Sequence, residues 1–323
     1  MMTRRLFSVC AIVLTLAGCA IDDHLPQPEN VFRIGTGSYG GVYYPYGVSA
    51  CRLWNADSTV STTRCLVQNT AGSVDNINRL KEGRVEFALV QADVLAREIM
   101  QQNSAGTPSS LRLVMAGPQE ALTIVVNRAS NIEAPKDLKG KRIALGPQGS
   151  GQRATSQQLF TALNIGLNEV TDVPALSSGQ QARLLCTGEL DAALYVSAPP
   201  SGYVSESTMA CGGLVLSLDE ATKAALQRSN AYLKPMTIPH DVYRGQSADI
   251  QTVGVRALVV TTASQSDALV YSFTRQIAGQ LETFKRQHQA FRGITAATLT
   301  EAVDNLPRHP AAERFLREAR LLQ

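Results

Sequence analysis

The sequence predicts an α/β fold with two lobes and a central ligand cleft between them. Short β-type segments alternate with helical segments along most of the 323 residues, a spacing typical of a largely parallel sheet. The same series occurs twice, and each copy begins with a strand that leads into a glycine-rich helix start, after residue 34 and after residue 145. Ligands in open α/β sheets bind beyond the carboxyl ends of strands, so these turns are expected to face one cleft.

The first series spans residues 31 to about 127. Its clearest helix carries Val74, Ile77 and Leu80 at the helical period and stops at Gly83, because glycine readily ends a helix. The predicted elements are, in order, a strand at 31–35, a helix to about 54, a strand at 62–68, a helix from 74, a strand at 87–90, a helix at 94–102 and two strands at 111–116 and 122–127.

The second series begins with a turn of helix at 135–138. Further on, Val253, Val255, Val259 and Val260 form a β-branched run, which favours a long strand. The predicted elements are a strand at 142–145, helices at about 153–163 and 180–186, strands at 191–196, 214–218 and 251–262, and amphipathic helices from 267 onwards. These elements give lobe 1 as residues 31–125, lobe 2 as 126–245, and a return crossover with C-terminal helices of lobe 1 at 246–323.

Composition excludes several classes of protein. Charged residues make up 18% of the chain and the net charge is +3, which excludes a basic nucleic-acid-binding surface and a disordered polyelectrolyte. One long apolar run exists, at the extreme N-terminus, so the chain is not a polytopic membrane protein.

That N-terminal run predicts a lipoprotein signal peptide at residues 1–18. Arg4 and Arg5 precede a short apolar segment, and residues 16–19 read Leu-Ala-Gly-Cys, which matches the bacterial lipobox. The alternative is an ordinary signal peptide with an accidental cysteine. With a lipobox, Cys19 becomes the lipidated N-terminus, residues 19–30 form a polar tether with two prolines, and the protein lies in the periplasm, held to the membrane by this lipid only.

Four cysteines remain in the mature domain: Cys51, Cys65, Cys186 and Cys211. An even number outside the cytoplasm favours disulfides, and pairing neighbours gives Cys51–Cys65 and Cys186–Cys211. Zinc is the competing interpretation, but the Cys-x-x-Cys spacing typical of zinc sites is missing. Two disulfides and no metal are expected.

Residues 35–40 read Gly-Thr-Gly-Ser-Tyr-Gly, which matches the G-x-G-x-x-G pattern of dinucleotide-binding folds. Those folds need an acidic residue at the end of the second strand, whereas this strand ends in Gln68-Asn69-Thr70. No nucleotide cofactor is therefore expected. The motif still predicts a turn that can bind an anion, because glycines let backbone N–H groups approach a ligand and a helix N-terminus favours negative charge.

Three more polar turns follow predicted strands, at residues 68–73, 91–93 and 146–151. Ser73 is expected to cap its helix, with Asn76 three residues later, while Gln68, Thr70 and Gln91 would direct polar groups into the cleft. No Gly-x-Ser-x-Gly, Ser-x-x-Lys or His-Glu-x-x-His motif occurs. The sequence therefore favours ligand binding over catalysis; an enzyme with a triad built from distant residues is the remaining alternative.

These motifs together resemble the TAXI family, the solute-binding proteins of tripartite ATP-independent periplasmic (TRAP) transporters. The resemblance covers about residues 31–323. It is carried by Gly-Thr-Gly-Ser-Tyr-Gly-Gly-Val-Tyr-Tyr-Pro at 35–45, Thr-Ala-Gly-Ser-Val-Asp-Asn at 70–76, Ala-Leu-Val-Gln-Ala-Asp at 88–93, Asp-Leu-Lys-Gly-Lys-Arg at 137–142, Tyr-Arg-Gly-Gln at 243–246 and Leu-Pro-Arg-His-Pro at 306–310.

The sequence departs from the family at 146–152, which reads Gly-Pro-Gln-Gly-Ser-Gly-Gln, at 117–120, which reads Gly-Pro-Gln-Glu, and around Ser197. Most of these positions lie in cleft-facing turns, so the resemblance leaves the identity of the ligand open. The resemblance implies a type II periplasmic-binding-protein fold that closes over a small organic anion, a dicarboxylate or an amino acid such as glutamate or 2-oxoglutarate. The implied partner is a TRAP-type permease; a membrane sensor kinase is the alternative partner.

Combining the turns with the resemblance gives a set of candidate ligand-binding residues. Arg153, directly after the second glycine-rich turn, is the candidate charge partner of the anion, although an exposed helix arginine is the plain alternative. The full set is Gly37, Ser38, Tyr39, Tyr43, Gln68, Thr70, Gly72, Ser73, Gln91, Ser150, Gly151, Gln152, Arg153 and Ser197.

Overall fold

The computed structural model describes residues 30–57, 62–173, 177–303 and 306–322. The predicted signal peptide, Cys19 and all of the tether except Asn30 lie outside the described residues, so these predictions stand as made. Within the described ranges, no helix combines the length and apolar character needed to cross a bilayer.

Ten strands form one sheet. Most are short, because they connect directly to helices, but two of them exceed twelve residues. The strands are β1 (Val31–Gly35), β2 (Arg64–Gln68), β3 (Phe87–Gln91), β4 (Leu111–Val126), β5 (Arg142–Ala144), β6 (Thr171–Asp172), β7 (Ala192–Ser197), β8 (Leu214–Leu216), β9 (Lys234–Ile238) and β10 (Ile250–Thr262).

Eleven α-helices are described, and they confirm the alternating pattern. The helices are α1 (Tyr43–Ala56), α2 (Ser73–Lys81), α3 (Ala92–Ser104), α4 (Gly151–Ala162), α5 (Ser178–Thr187), α6 (Gly202–Met209), α7 (Glu220–Ser229), α8 (Asp267–Ala278), α9 (Leu281–Lys285), α10 (Ala296–Thr300) and α11 (Pro310–Glu318). The sequence interpretation omitted α6, α7, β6 and β9, which carry weak or short periodic patterns.

The main strand order is β2-β1-β3-β10-β4-β7-β5-β6, with β8 beside β4 and β9 beside β10. Strands β1–β3 pair in parallel at one end of the sheet, and the part of the molecule around them is called the first half. Strands β5–β7 pair in parallel at the other end, and the part around them is called the second half. The long strands β4 and β10 run antiparallel to their neighbours between these ends. The prediction of a largely parallel sheet is therefore wrong in the centre, where two strands cross from one half of the molecule to the other.

Strand β4 also corrects the prediction of two strands at 111–116 and 122–127. Gly117 and Pro118, which lie between the two predicted strands, belong to one continuous strand. Gln119 pairs with Arg256 and Ala116 with Leu258, so Gly117 and Pro118 together oppose a single residue of β10. This bulge tolerates proline, since a bulged residue need not donate a hydrogen bond to its neighbour.

Three apolar clusters stabilise the sheet from its two faces. One cluster includes Phe32, Trp54, Phe87 and Phe273 in the first half, where the rings of Phe87 and Phe273 stack with centroids 4.1 Å apart. A second extends through β3, β4, β7 and β10, and a third lies around Tyr195 in the second half. The lobe boundaries at 125/126 and 245/246 stay predictions.

Both predicted disulfides are confirmed. Cys51 on α1 is bonded to Cys65 on β2, and Cys186 on α5 is bonded to Cys211 just after α6, with Cα atoms 5.0 and 4.6 Å apart. The first bond lies within the first half of the molecule and the second bond within the second half. Among the described residues, no group of three or more His, Cys, Asp and Glu side chains is arranged to hold a metal ion.

Candidate ligand-binding site

A cavity of about 70 Å³ lies where the ends of the strands from both halves meet. Turns after β1, β2, β3, β5 and β7 supply most of its wall, as the strand-end rule predicts. Its wall consists of Gly37, Ser38, Gly41, Val42, Tyr43, Ala71, Gly72, Ser73, Gln91 and Glu120 from the first half, and Pro147, Ser150, Gly151, Gln152, Ser178, Tyr195, Val196, Ser197, Ser201 and Tyr203 from the second.

The structure brings ten of the fourteen predicted residues together on this wall. They come from the two glycine-rich turns, the start of α1, the turn after β2 and the ends of β3 and β7, which lie far apart in the sequence. The ten residues are Gly37, Ser38, Tyr43, Gly72, Ser73, Gln91, Ser150, Gly151, Gln152 and Ser197.

Three of the other predicted residues support the site from outside it. Tyr39 is 69% exposed and packs edge-on against Tyr44. Thr70 is buried, and its hydroxyl lies 2.9 Å from the Thr36 carbonyl and 2.7 Å from the Asn76 side-chain oxygen. Gln68 uses its backbone carbonyl to accept from Thr36. These residues shape the turn and do not face the cavity.

Arg153 also lies off the cavity wall. Its guanidinium forms an ion pair with Asp172 and donates a hydrogen bond to the Gly146 carbonyl at 3.2 Å. The partners of the Arg153 side chain therefore both lie in the second half of the molecule, away from the cavity. Among the described residues on the wall there is no Lys, Arg or His.

The turns of the first half are tied together by Asn76, which is fully buried. Its amide donates to the carbonyls of Thr36 at 2.6 Å and Leu89 at 2.7 Å. Because Thr36 follows β1 and Leu89 lies in β3, one side chain joins the ends of two neighbouring strands. A side chain at Gly35 would meet Asn76, since a Cβ there would lie 2.8 Å from its oxygen.

Ser73 does not cap its helix, which corrects the prediction. Helix α2 begins at Ser73 itself, and Gly72 occupies the cap position with a φ of 118° that glycine favours. The Ser73 hydroxyl instead accepts a hydrogen bond from the backbone N–H of Gln91 at 3.1 Å. It therefore links the second and third turns of the first half.

In the second half, Ser150 caps helix α4. Its hydroxyl accepts from the Arg153 N–H at 3.1 Å and donates to the Pro147 carbonyl at 2.6 Å. The next two residues, Gly151 and Gln152, begin the helix on the cavity wall, and the first N–H groups of a helix have no partner within it. The Gln152 side chain is committed elsewhere, since it donates to the Leu194 carbonyl at 2.6 Å.

Direct contacts across the cavity hold the two halves in a closed arrangement. The Gly149 carbonyl accepts hydrogen bonds from the N–H groups of Val74 at 3.0 Å and Asp75 at 3.2 Å. The Gly40 N–H donates to the Tyr203 hydroxyl at 2.7 Å. A Cβ at Gly40 would lie 2.4 Å from the Tyr203 ring, so this close approach requires glycine.

Several buried polar groups on the wall have no protein partner among the described residues. They are the side-chain oxygen and nitrogen of Gln91 and the hydroxyls of Ser197 and Ser201, which belong to residues 2%, 8% and 1% exposed. A buried group without a hydrogen bond costs about 1–3 kcal/mol. Four such atoms around one cavity are the arrangement expected where a ligand completes the bonding.

Glu120 is one of ten wall residues that the sequence analysis did not predict, and it carries the one carboxylic acid among the described residues of the wall. It lies on β4 just after the bulge, is 4% exposed and accepts a hydrogen bond from the Tyr43 hydroxyl at 2.6 Å. Burial raises the pKa of this carboxyl to about 8, and the negative charge of Asp93 acts in the same direction. The available signal was the acid itself, which follows Gly117-Pro118 in a segment interpreted as a turn.

Comparison with known proteins identifies the family. A model of the NMT1-like family matches residues 34–319. The chain belongs to the NMT1-like family.

Solved structures show the fold of this family member. A protein from Bordetella bronchiseptica is similar with a TM-score of 0.54 at 12% identity, covering 90% of this chain and 98% of that one. The periplasmic binding protein BugD has a TM-score of 0.52 at 13% identity, with 82% and 88% covered. An ancestral arginine-binding protein bound to arginine has a TM-score of 0.51 at 12% identity, with 82% and 99% covered. The predicted fold, that of a periplasmic binding protein, is confirmed.

Proposed function

We propose that this NMT1-like protein is an extracytoplasmic solute-binding protein, which captures a small ligand between its two halves and delivers it to a membrane permease. The observation that carries the proposal is the cavity between the halves, where Gln91, Ser197 and Ser201 bury polar atoms that lack protein partners. A bound solute would supply those partners, and the proposal is therefore one of binding rather than catalysis.

Closure over the ligand is the proposed mechanism. Wall residues come from both halves, and direct bonds such as Gly40 to Tyr203 exist only when the halves meet. A ligand that touches both walls favours the closed state, because it makes its full set of contacts there. The closed state is then the form presented to the permease.

We further propose that the permease is of the TRAP type and that the chain is a TAXI-like protein. The motifs at 35–45, 70–76 and 88–93 support this assignment. All three segments contribute to the part of the cavity wall that comes from the first half, here called the first wall, the second half supplying the second wall. The anchor is proposed to be the lipid on Cys19, which places the protein at the periplasmic face of a membrane.

The ligand is proposed to carry a carboxylate. No cationic side chain lies on the wall in the part of the chain that the structure describes. The proposal is therefore supported by the start of α4, where Gly151 and Gln152 present backbone N–H groups. Helix N-termini bind anions through such groups and through the helix dipole.

The test begins with mass spectrometry of the small molecule released from purified, denatured protein, followed by calorimetry with that compound. Gln91→Ala is expected to weaken binding at least tenfold, because both polar atoms of its side chain are buried on the wall without partners. The control is Gln101→Ala on the exposed face of α3, which should bind normally. A normal affinity in Gln91→Ala would remove this cavity as the binding site.

A further inference from the structure

The charge pattern of the cavity is unusual for a site that takes an anion. Among the described wall residues, Glu120 carries the one carboxylic acid, and no lysine, arginine or histidine faces it there. Arg153, the nearest arginine along the chain to the second wall, is paired with Asp172. Any charge on this wall is therefore negative.

We propose that Glu120 is a specificity-determining residue that binds a positively charged nitrogen of the ligand, so that the cleft selects a small amine or zwitterion over a dicarboxylate. This inference rests on the proposed function of the same cavity. It adds to that function the chemical nature of one end of the ligand, namely a positively charged nitrogen facing the first wall.

The surroundings of Glu120 support a counter-ion role. Its side chain is buried and receives one protein hydrogen bond, from the hydroxyl of Tyr43. A carboxylate accepts more bonds than one, and a buried carboxylate without a positive partner is strongly unfavourable. An ammonium group on the ligand supplies both the missing charge and the missing donors.

The opposite wall suits the other end of a zwitterion. Gly151 and Gln152 begin α4 there, and the hydroxyls of Ser197 and Ser201 have no hydrogen-bond partner among the residues that the structure describes. A molecule with an ammonium group at Glu120 and a carboxylate at α4 spans the cavity from the first half to the second.

The geometry also predicts the pH dependence of binding. The groups that act on Glu120 are the Tyr43 hydroxyl from α1 and Asp93 from α3, while Arg256 on the adjacent β10 is directed to the Gly117 carbonyl and to Glu301. The pKa of Glu120 near 8 leaves it protonated at neutral pH in the empty site. A cation must displace that proton, so affinity should rise about tenfold per pH unit up to pH 8.

The experiment is calorimetry on the full chain with matched probes, namely L-alanine, L-serine, L-aspartate and L-glutamate, each against its 2-oxo acid. At least one amino acid should bind, and its 2-oxo acid should bind at least tenfold more weakly, because the keto group lacks the charge. Glu120→Gln should weaken the amino acid at least tenfold and make its affinity independent of pH between 6 and 8. Glu133→Gln, on an exposed residue, is the matched control.

Equal or tighter binding of a 2-oxo acid would overturn the inference and leave the proposed function standing, since the cavity would still bind a solute. Failure of every amino acid to bind the wild-type protein would also overturn it. The proposed function is judged separately, by whether purified protein releases a small molecule. The comparison of amino acid with 2-oxo acid needs no variant, so it stands even if Glu120→Gln fails to fold.

Discussion

In the first half of the molecule, one network of buried side chains joins the cavity-facing turns to one another, whereas in the second half separate side chains hold the turn before α4. Asn76 and Thr70 join the ends of β1, β2 and β3. The turn before α4 depends on the Ser150 hydroxyl and on Gly149, which bonds across the cavity. The first wall is thus held by bonds within the first half, whereas the turn before α4 also bonds across the cavity.

The largest expected change in stability follows removal of the disulfides, each of which stabilises one half of the molecule. Reduction should lower the free energy of unfolding by about 3 kcal/mol for Cys51–Cys65 and about 3.5 kcal/mol for Cys186–Cys211, because the separations are 14 and 25 residues and longer loops lose more entropy when closed. Urea denaturation of the Cys51→Ser/Cys65→Ser and Cys186→Ser/Cys211→Ser variants measures each one. Four reactive thiols in denatured, unreduced protein would contradict both bonds.

Asn76→Ala tests the side-chain network of the first wall. Its loss removes two buried hydrogen bonds to carbonyls and leaves the Leu89 carbonyl without its amide donor, so the free energy of unfolding should fall by about 3 kcal/mol. Asn103→Ala, on an exposed residue of α3, should change stability by less than about 0.5 kcal/mol. Equal effects of the two variants would show that the network does not stabilise the first half.

Ser150→Ala tests the second wall and has the smallest effect on stability. Loss of the cap on α4 should cost about 1 kcal/mol and should also weaken ligand binding, because the start of that helix faces the cavity. Ser177 caps α5 in the same way but lies off the wall, so Ser177→Ala should lose similar stability and bind normally. If both variants bind as wild type, the start of α4 is not part of the site.

The strand-end turns were predictable because their signals are local. Glycine, serine and glutamine after a buried strand mark a turn at a sheet edge, and nine predicted residues of these types meet in the cavity. The roles of individual side chains were harder to predict. Ser73 looked like a helix cap by its spacing, yet its hydroxyl bonds the Gln91 N–H from a different turn, a contact that depends on how β2 and β3 are placed.

Glu120 shows the same limit more clearly. Residues 117–120 were interpreted as a cleft-facing turn, and proline and glycine do usually interrupt a strand. A bulge against Ala257 lets β4 continue through them, and the acid then lies next to Tyr43. Nothing local to residue 120 indicates that partner, which lies 77 positions away.

The amino-acid sequence by itself determined the alternation of strands and helices, the glycine-bearing turns, the pairing of the four cysteines and the family resemblance, because each depends on neighbouring residues or on spacing along the chain. Tertiary structure alone decided which strands cross the centre, that Arg153 pairs with Asp172, and that the cavity wall carries an acid and, among the described residues, no base. Charges and hydrogen bonds act over a few ångströms in space, and the fold, not the order of residues, sets those distances.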